Sequence, residues 1–109
     1  LRKPHNMEKV IRDGHVAVLY SPGYGAGWYS WHGIEELLYD PVVVGMVERK
    51  IPEDVIVSYC DEKYDGDGYF GGAQDLTIAW VEEGCEFQVE EYDGAEKLRF
   101  KDKERWIVA

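Results

Sequence analysis

Cysteine, basic side chains and long apolar runs are all scarce in this sequence, and each shortage excludes something. The two cysteines, Cys60 and Cys85, have no motif spacing, so a disulfide framework or zinc site is not expected and both read as reduced thiols. Twelve Lys and Arg against 22 Asp and Glu leave a formal charge of −10, which opposes contact with a phosphate backbone; no direct nucleic-acid partner is expected. No apolar run approaches the roughly 20 residues of a membrane-spanning helix, and no signal-peptide core is seen, so the expectation is a cytoplasmic protein without a membrane partner.

What is present is material for one core. Hydrophobic residues make up 45% of the 109 and aromatics 14%, enough to fold despite the charge. Residues 1–6 lack periodicity and read as a leader or an appended remnant, leaving 7–109 as a single α+β domain.

Turn chemistry gives the strands. Asp13-Gly14, between Val10-Ile11 and the run Val16 to Tyr20, predicts a type I′ hairpin with strands near 9–12 and 15–20. Both faces of the second strand are apolar, which places it centrally in a sheet. Asp93-Gly94 as a two-residue turn sets Val89 against Leu98 and Phe87 against Phe100 on one face. On the other face it sets Glu90 against Lys97, Gln88 against Arg99 and Glu86 against Lys101. Glu83-Gly84 as a further tight turn pairs Trp80 with Phe87 and Ile78 with Val89, extending the hairpin to a meander that begins near residue 75. Trp106 to Val108 read as one more strand.

Between the two β regions lie helix signals. Asp40-Pro41 offers an N-cap followed by proline at the first helical position, and Pro52-Glu53-Asp54 a proline and two acids in a first turn. A further turn near 33–39 buries Ile34, Leu37 and Leu38. The expected fold class is therefore α+β: an antiparallel sheet, made of an N-terminal hairpin and a C-terminal meander, with two or three short helices inserted between.

The segment of unusual composition is SPGYGAGWYSWHG, residues 21–33. Glycines let backbone approach a ligand, and Tyr24, Trp28, Tyr29 and Trp31 supply flat faces, a combination suited to a planar ring such as a nucleobase. Gly25, Gly27 and His32 would contact its polar groups, and Tyr69 and Phe70 in a second glycine-rich stretch would line the opposite side. The competing reading makes the same rings an outer layer of core. Neither a dinucleotide fingerprint nor a P-loop fits: Trp28 stands where the former needs glycine, and no Gly-Lys-Ser/Thr follows. A looser anion contact from the loop amides remains open. Asp65 to Asp75 fails as a calcium loop, because Phe70 falls at the obligatory glycine position and Leu76 at the bidentate acid.

No nucleophile–base pair, His–carboxylate set or metal-ligand spacing is found, so the sequence reads as a binder without a cofactor rather than as an enzyme. Glu82, Glu83, Glu91, Asp93 and Glu96, left without a cross-strand base, are candidates to meet a basic partner.

The run VAVLYSPGYGAGWYSWHGIEELL, with GGA at 71–73, IAWVEEG at 78–84, EYDG at 91–94 and the final WIVA, resembles a group of small accessory proteins encoded by tailed bacteriophages. The resemblance spans nearly the whole chain from Met7. It implies a counter-defence role in the host cytoplasm, either holding a nucleotide-like signal in a homo-oligomer or covering a basic surface on a host enzyme. Two expectations follow: a small aromatic ligand at the glycine-and-ring loop, or an acidic inhibitor of a host protein.

Overall fold

The computed structural model describes residues 7–24, 27–64 and 70–101. The element order is β1 (Ile11–Arg12), β2 (His15–Tyr20), α1 (Tyr29–His32), a 3-10 helix (Glu35–Leu38), α2 (Pro41–Glu48), α3 (Glu53–Lys63), a second 3-10 helix (Gly71–Asp75), β3 (Thr77–Glu82), β4 (Phe87–Tyr92) and β5 (Ala95–Phe100). This is an α+β fold with antiparallel pairing throughout and the helices between the two β regions.

Both predicted hairpin turns form. Asp13 and Gly14 take φ of 50° and 76°, Asp93 and Gly94 of 54° and 87°, the left-handed values that a type I′ turn demands of both central residues. The second turn gives the expected register, Phe87↔Phe100, Gln88↔Arg99, Val89↔Leu98 and Glu90↔Lys97. Lys101 continues it, its amide donating to the Glu86 carbonyl at 2.9 Å and its ammonium pairing with the Glu86 carboxylate at 3.0 Å.

The third pairing is a correction. β3 does not meander onto β4; it pairs with β2, placing Trp80 against Ala17 and Ile78 against Leu19, and the sheets are β1-β2-β3 and β4-β5. Gly84 (φ 89°) does turn the chain, with the Cys85 amide donating to the Glu82 carbonyl at 3.0 Å. Cys85 and Glu86 then carry the chain away before β4 starts, so β3 and β4 never come into register. The proposed strand at Trp106 to Val108 lies outside the described residues.

β2 is central, as its two apolar faces require. Ala17 and Leu19 face a cluster containing Val43 and Val44 of α2, Ile56 and Cys60 of α3, Trp28, Leu37, Phe70 and Ala73. Val16 and Val18 face Leu38, Tyr39 and Val81, against which Phe87, Val89, Leu98 and Phe100 of the β4–β5 hairpin pack half-buried. The hairpin thus covers one side of β2 while the helices cover the other. A two-stranded sheet is marginal alone, and burial of this apolar face at about 25 cal/mol per Å² is what holds it down.

The N-cap signal at Asp40 carries more than a helix start. Its carboxylate accepts from the Val42 and Val43 amides at 2.9 and 3.3 Å, as an N-cap should. It also accepts from the Tyr59 hydroxyl at 3.0 Å, the Tyr64 hydroxyl at 2.7 Å and the Lys63 ammonium at 2.9 Å, all from α3 or its C-cap. One buried carboxylate therefore caps α2 and ties α3 to it. Burial alone would raise its pKa, but the bonds from Tyr64, Lys63 and Tyr59 outweigh it and hold the group below the ordinary carboxylate value.

Candidate functional site

The glycine-and-ring loop is organised around a side chain that the sequence reading left at a turn. Glu96 on β5 is buried, at 2% exposure, and its carboxylate accepts four hydrogen bonds. The Ser21 amide donates to Oε1 at 2.9 Å; the Trp28 amide at 2.7 Å, the Ser30 amide at 2.8 Å and the Ser30 hydroxyl at 2.7 Å donate to Oε2. The Glu96 amide returns a bond to the Ser21 carbonyl at 2.7 Å. The loop amides do bind an anion, and the anion is the chain's own carboxylate.

This arrangement was legible in part. In the Asp93-Gly94 register Glu96 pairs with Glu91 and shares the face of Leu98 and Phe100. An acid on a core-facing position needs several donors to offset its desolvation, and a loop rich in glycine and serine is where unpaired amides occur. Reading Glu96 as a solvated partner for a basic protein overlooked its face.

The expected ligand-contacting residues divide between core and surface. Trp28 is wholly buried: its Nε1 donates to the Leu37 carbonyl at 2.7 Å, and its ring meets Phe70 edge-on at 5.8 Å. Phe70 is equally sealed and stacks on His32 at 4.6 Å, with 5° between the planes. Neither offers a face to a ligand, a correction caused by the extra packing needed where the loop folds over β2 and α3. His32 Nδ1 lies 2.6 Å from the Trp28 carbonyl, which it meets as a donor, and its Nε2 is buried without a partner among the described residues. Tyr24 is 75% exposed and Trp31 45%, the indole N–H of Trp31 donating to Glu91 at 3.2 Å. Gly25 and Tyr69 lie outside the described residues.

Two loop glycines make room for the chain itself. A Cβ on Gly23 would overlap the Asp75 carboxylate, and one on Gly27 would fall 2.6 Å from the Ser30 hydroxyl and 2.7 Å from the Trp31 ring. Close approach is required there, but by protein atoms.

Tyr29 is where the loop meets open space. With Glu35, Leu38 and Tyr39 it forms one wall of a groove of about 990 Å³, whose other wall is Cys85 to Val89 with Arg99 and Lys101 of β5. That volume is at the upper end of the roughly 300–1,000 Å³ of small-molecule sites. Rings and aliphatic groups (Tyr29, Tyr39, Phe87, Leu38, Val89) line it beside ionic ones. Lys101 pairs with Glu86 at 3.0 Å, and Arg99 with Glu90 at 3.2 Å. The sequence placed Lys101 with Glu86 and Arg99 opposite Gln88, from where Arg99 reaches diagonally to Glu90, but gave no sign of the groove, because Tyr29 and Phe87 come together only through the fold of the loop over β5.

Of the two thiols, Cys85 lines this groove and is partly exposed, whereas Cys60 is buried between α2 and α3. Burial, reinforced by Asp40 and Asp61, pushes the Cys60 thiol up to about 12, so it is inert at neutral pH. Among the described residues no group of three or more His, Cys, Asp or Glu side chains could hold a metal ion, and no helix is long and apolar enough to cross a membrane.

Comparison with protein-family models, curated proteins and solved structures finds no match for this chain.

Proposed function

We propose that this chain acts by binding a protein partner, and that the groove between Tyr29–Tyr39 and β4 is its binding surface. The supporting observation is the groove itself: a large open recess with apolar and aromatic walls and a charged rim, on a molecule of net charge −10. The field of such a molecule steers basic partners toward it. This is the behaviour expected of a small phage accessory protein that occupies a basic surface of a host enzyme. The free thiols Cys60 and Cys85 fit work in a reducing compartment such as the host cytoplasm.

A second reading keeps the small aromatic ligand but moves it. Tyr29, Tyr39 and Phe87 in the walls, with Arg99 and Lys101 at the rim, are a chemistry that a flat anionic ring would meet. It would sit beside the glycine-and-ring loop instead of within it.

One titration separates the two. Cys85 is tagged with a trifluoroethylthio group, small enough to leave the groove open, and its fluorine resonance is followed as a lysine octapeptide or adenosine and guanosine monophosphates are added. The protein-binding reading expects a saturable shift with the peptide that weakens severalfold between about 50 and about 200 mM salt. A response to the nucleotides alone would carry the second reading, and no response to any of them would remove the groove as a site.

A further inference from the structure

We propose that the open edge of β4 takes an extended basic segment of the partner as an added strand. The inference rests on the reading of the groove as a protein-binding surface and specifies how it binds.

Hydrogen-bond parity identifies the open edge. In an antiparallel pair, residues alternate between those that bond the partner strand and those whose N–H and C=O point the other way. The Lys101 amide bonds the Glu86 carbonyl, so Glu86, Gln88, Glu90 and Tyr92 face β5. Phe87, Val89 and Glu91 therefore direct their backbone groups outward from β4. The same parity turns Glu96 outward on β5, and its amide does meet the Ser21 carbonyl. The β5 edge is thus engaged by the loop, whereas no backbone group among the described residues pairs with the outward edge of β4.

The groove lies along that edge. Cys85, Glu86, Phe87, Gln88 and Val89 line it as consecutive residues. Five consecutive residues cannot all be met from one face, so the recess reaches around the outward edge, while Arg99 and Lys101 enter it from β5 across the outer face. The opposite wall is the helical pair α1 and the 3-10 helix Glu35–Leu38. A strand edge unpaired among the described residues, opposite a helical wall, is the geometry of strand addition, in which main-chain bonds give affinity and alternate side chains give selectivity. The outward residues span about 13 Å, enough for a five-residue strand.

Chemistry selects the occupant. On the inner face, Phe87 and Val89 with Leu38 and Tyr39 suit apolar side chains; on the outer face, Glu86, Gln88 and Glu90 suit basic ones. Glu86 and Glu90 already pair with Lys101, Arg99 and Lys97, but such exposed pairs are weak, and the field of a molecule of net charge −10 favours an incoming lysine. A second copy pairing antiparallel about Gln88 would instead lay Glu86 against Glu90 on both sides of the axis, like charge beside like. The occupant is therefore a segment alternating apolar and basic residues.

The test uses a heptapeptide of alternating lysine and valine, acetylated and amidated, with two derivatives N-methylated either on every valine or on every lysine. In an added strand one of these two sets of amides faces β4 and the other faces solvent. The parent should slow exchange of the Phe87, Val89 and Glu91 amides by about tenfold or more, and one derivative should bind about tenfold more weakly while the other matches the parent. Salt-sensitive binding of all three peptides with equal affinity would overturn strand addition and leave the groove as a protein-binding surface. No binding of the parent would remove both. Slow exchange of these amides in the protein alone, deepening with protein concentration, would show that a second copy holds the edge and would also overturn the proposal.

Discussion

Glu96 and Asp40 are the two buried carboxylates among the described residues, and each accepts from donors distant in sequence: Ser21, Trp28 and Ser30 for Glu96, and Tyr59, Lys63 and Tyr64 for Asp40. Removing Glu96 leaves the Ser21, Trp28 and Ser30 amides without their acceptor. Glu96→Ala should therefore cost about 3 kcal/mol or more in urea unfolding, and Glu96→Gln less, because one carbonyl oxygen survives. A loss under about 1 kcal/mol for the alanine variant would mean that the loop does not depend on this clamp. Titration offers a second check. Asp40 is held below its ordinary value of 3.8, so its contribution is present above that pH and drains away as pH falls through the lower folded value. Cys60 has the opposite sense: raised from 9.0 to about 12, its contribution is intact below pH 9.0 and is lost progressively toward 12. Cys60→Ala should flatten the alkaline limb of the stability profile and leave the acid limb unchanged; an unchanged alkaline limb would contradict the assignment.

At the scale of elements, what was legible in the sequence was whatever local chemistry decides. Asp93-Gly94 determined every pair between β4 and β5, because a two-residue turn leaves no freedom of register. Asp40-Pro41 marked the start of α2 for a similarly local reason. The partner of β3 was not local. Trp80 and Ile78 find apolar residues opposite them whether the neighbour is β4, as Phe87 and Val89, or β2, as Ala17 and Leu19, so alternation alone does not choose. Pairing β3 with the edge of β2 leaves the β4–β5 hairpin free to pack on Val16 and Val18, the face that α2 and α3 do not cover. The loop's composition misled in a related way. Glycine spacing shows that something must come close, but not whether it is a ligand or, as here, Asp75, Ser30 and Trp31. Gly23→Ala should accordingly destabilise by about 1–3 kcal/mol, and Asp75→Gly in the same chain should recover most of the loss. Purely additive effects in that double-mutant cycle would show that the two positions do not interact.

For the whole molecule, charge bears on the kind of partner and shape on its place. A net charge of −10 weakens the compact state by self-repulsion, so added salt should raise the melting temperature by a few degrees, while association with a basic segment should weaken over the same range. The folding of 21–24 and 27–33 around Glu96 turns Trp28 inward, leaves Tyr24 and Trp31 outside, and presents Tyr29 to the groove along β4. The candidate site is thus adjacent to the segment that composition singles out, sharing one ring with it. The most direct measurement is the fluorine-detected titration of Cys85-tagged protein with the lysine–valine heptapeptide, in three forms: unsubstituted, Tyr29→Ala with Phe87→Ala, and Tyr24→Ala with Trp31→Ala. Binding at the groove predicts at least about tenfold weaker affinity for the Tyr29 and Phe87 pair, provided it stays folded, and unchanged affinity for the Tyr24 and Trp31 pair. The reverse pattern would contradict it and return the binding surface to the exposed rings of the loop.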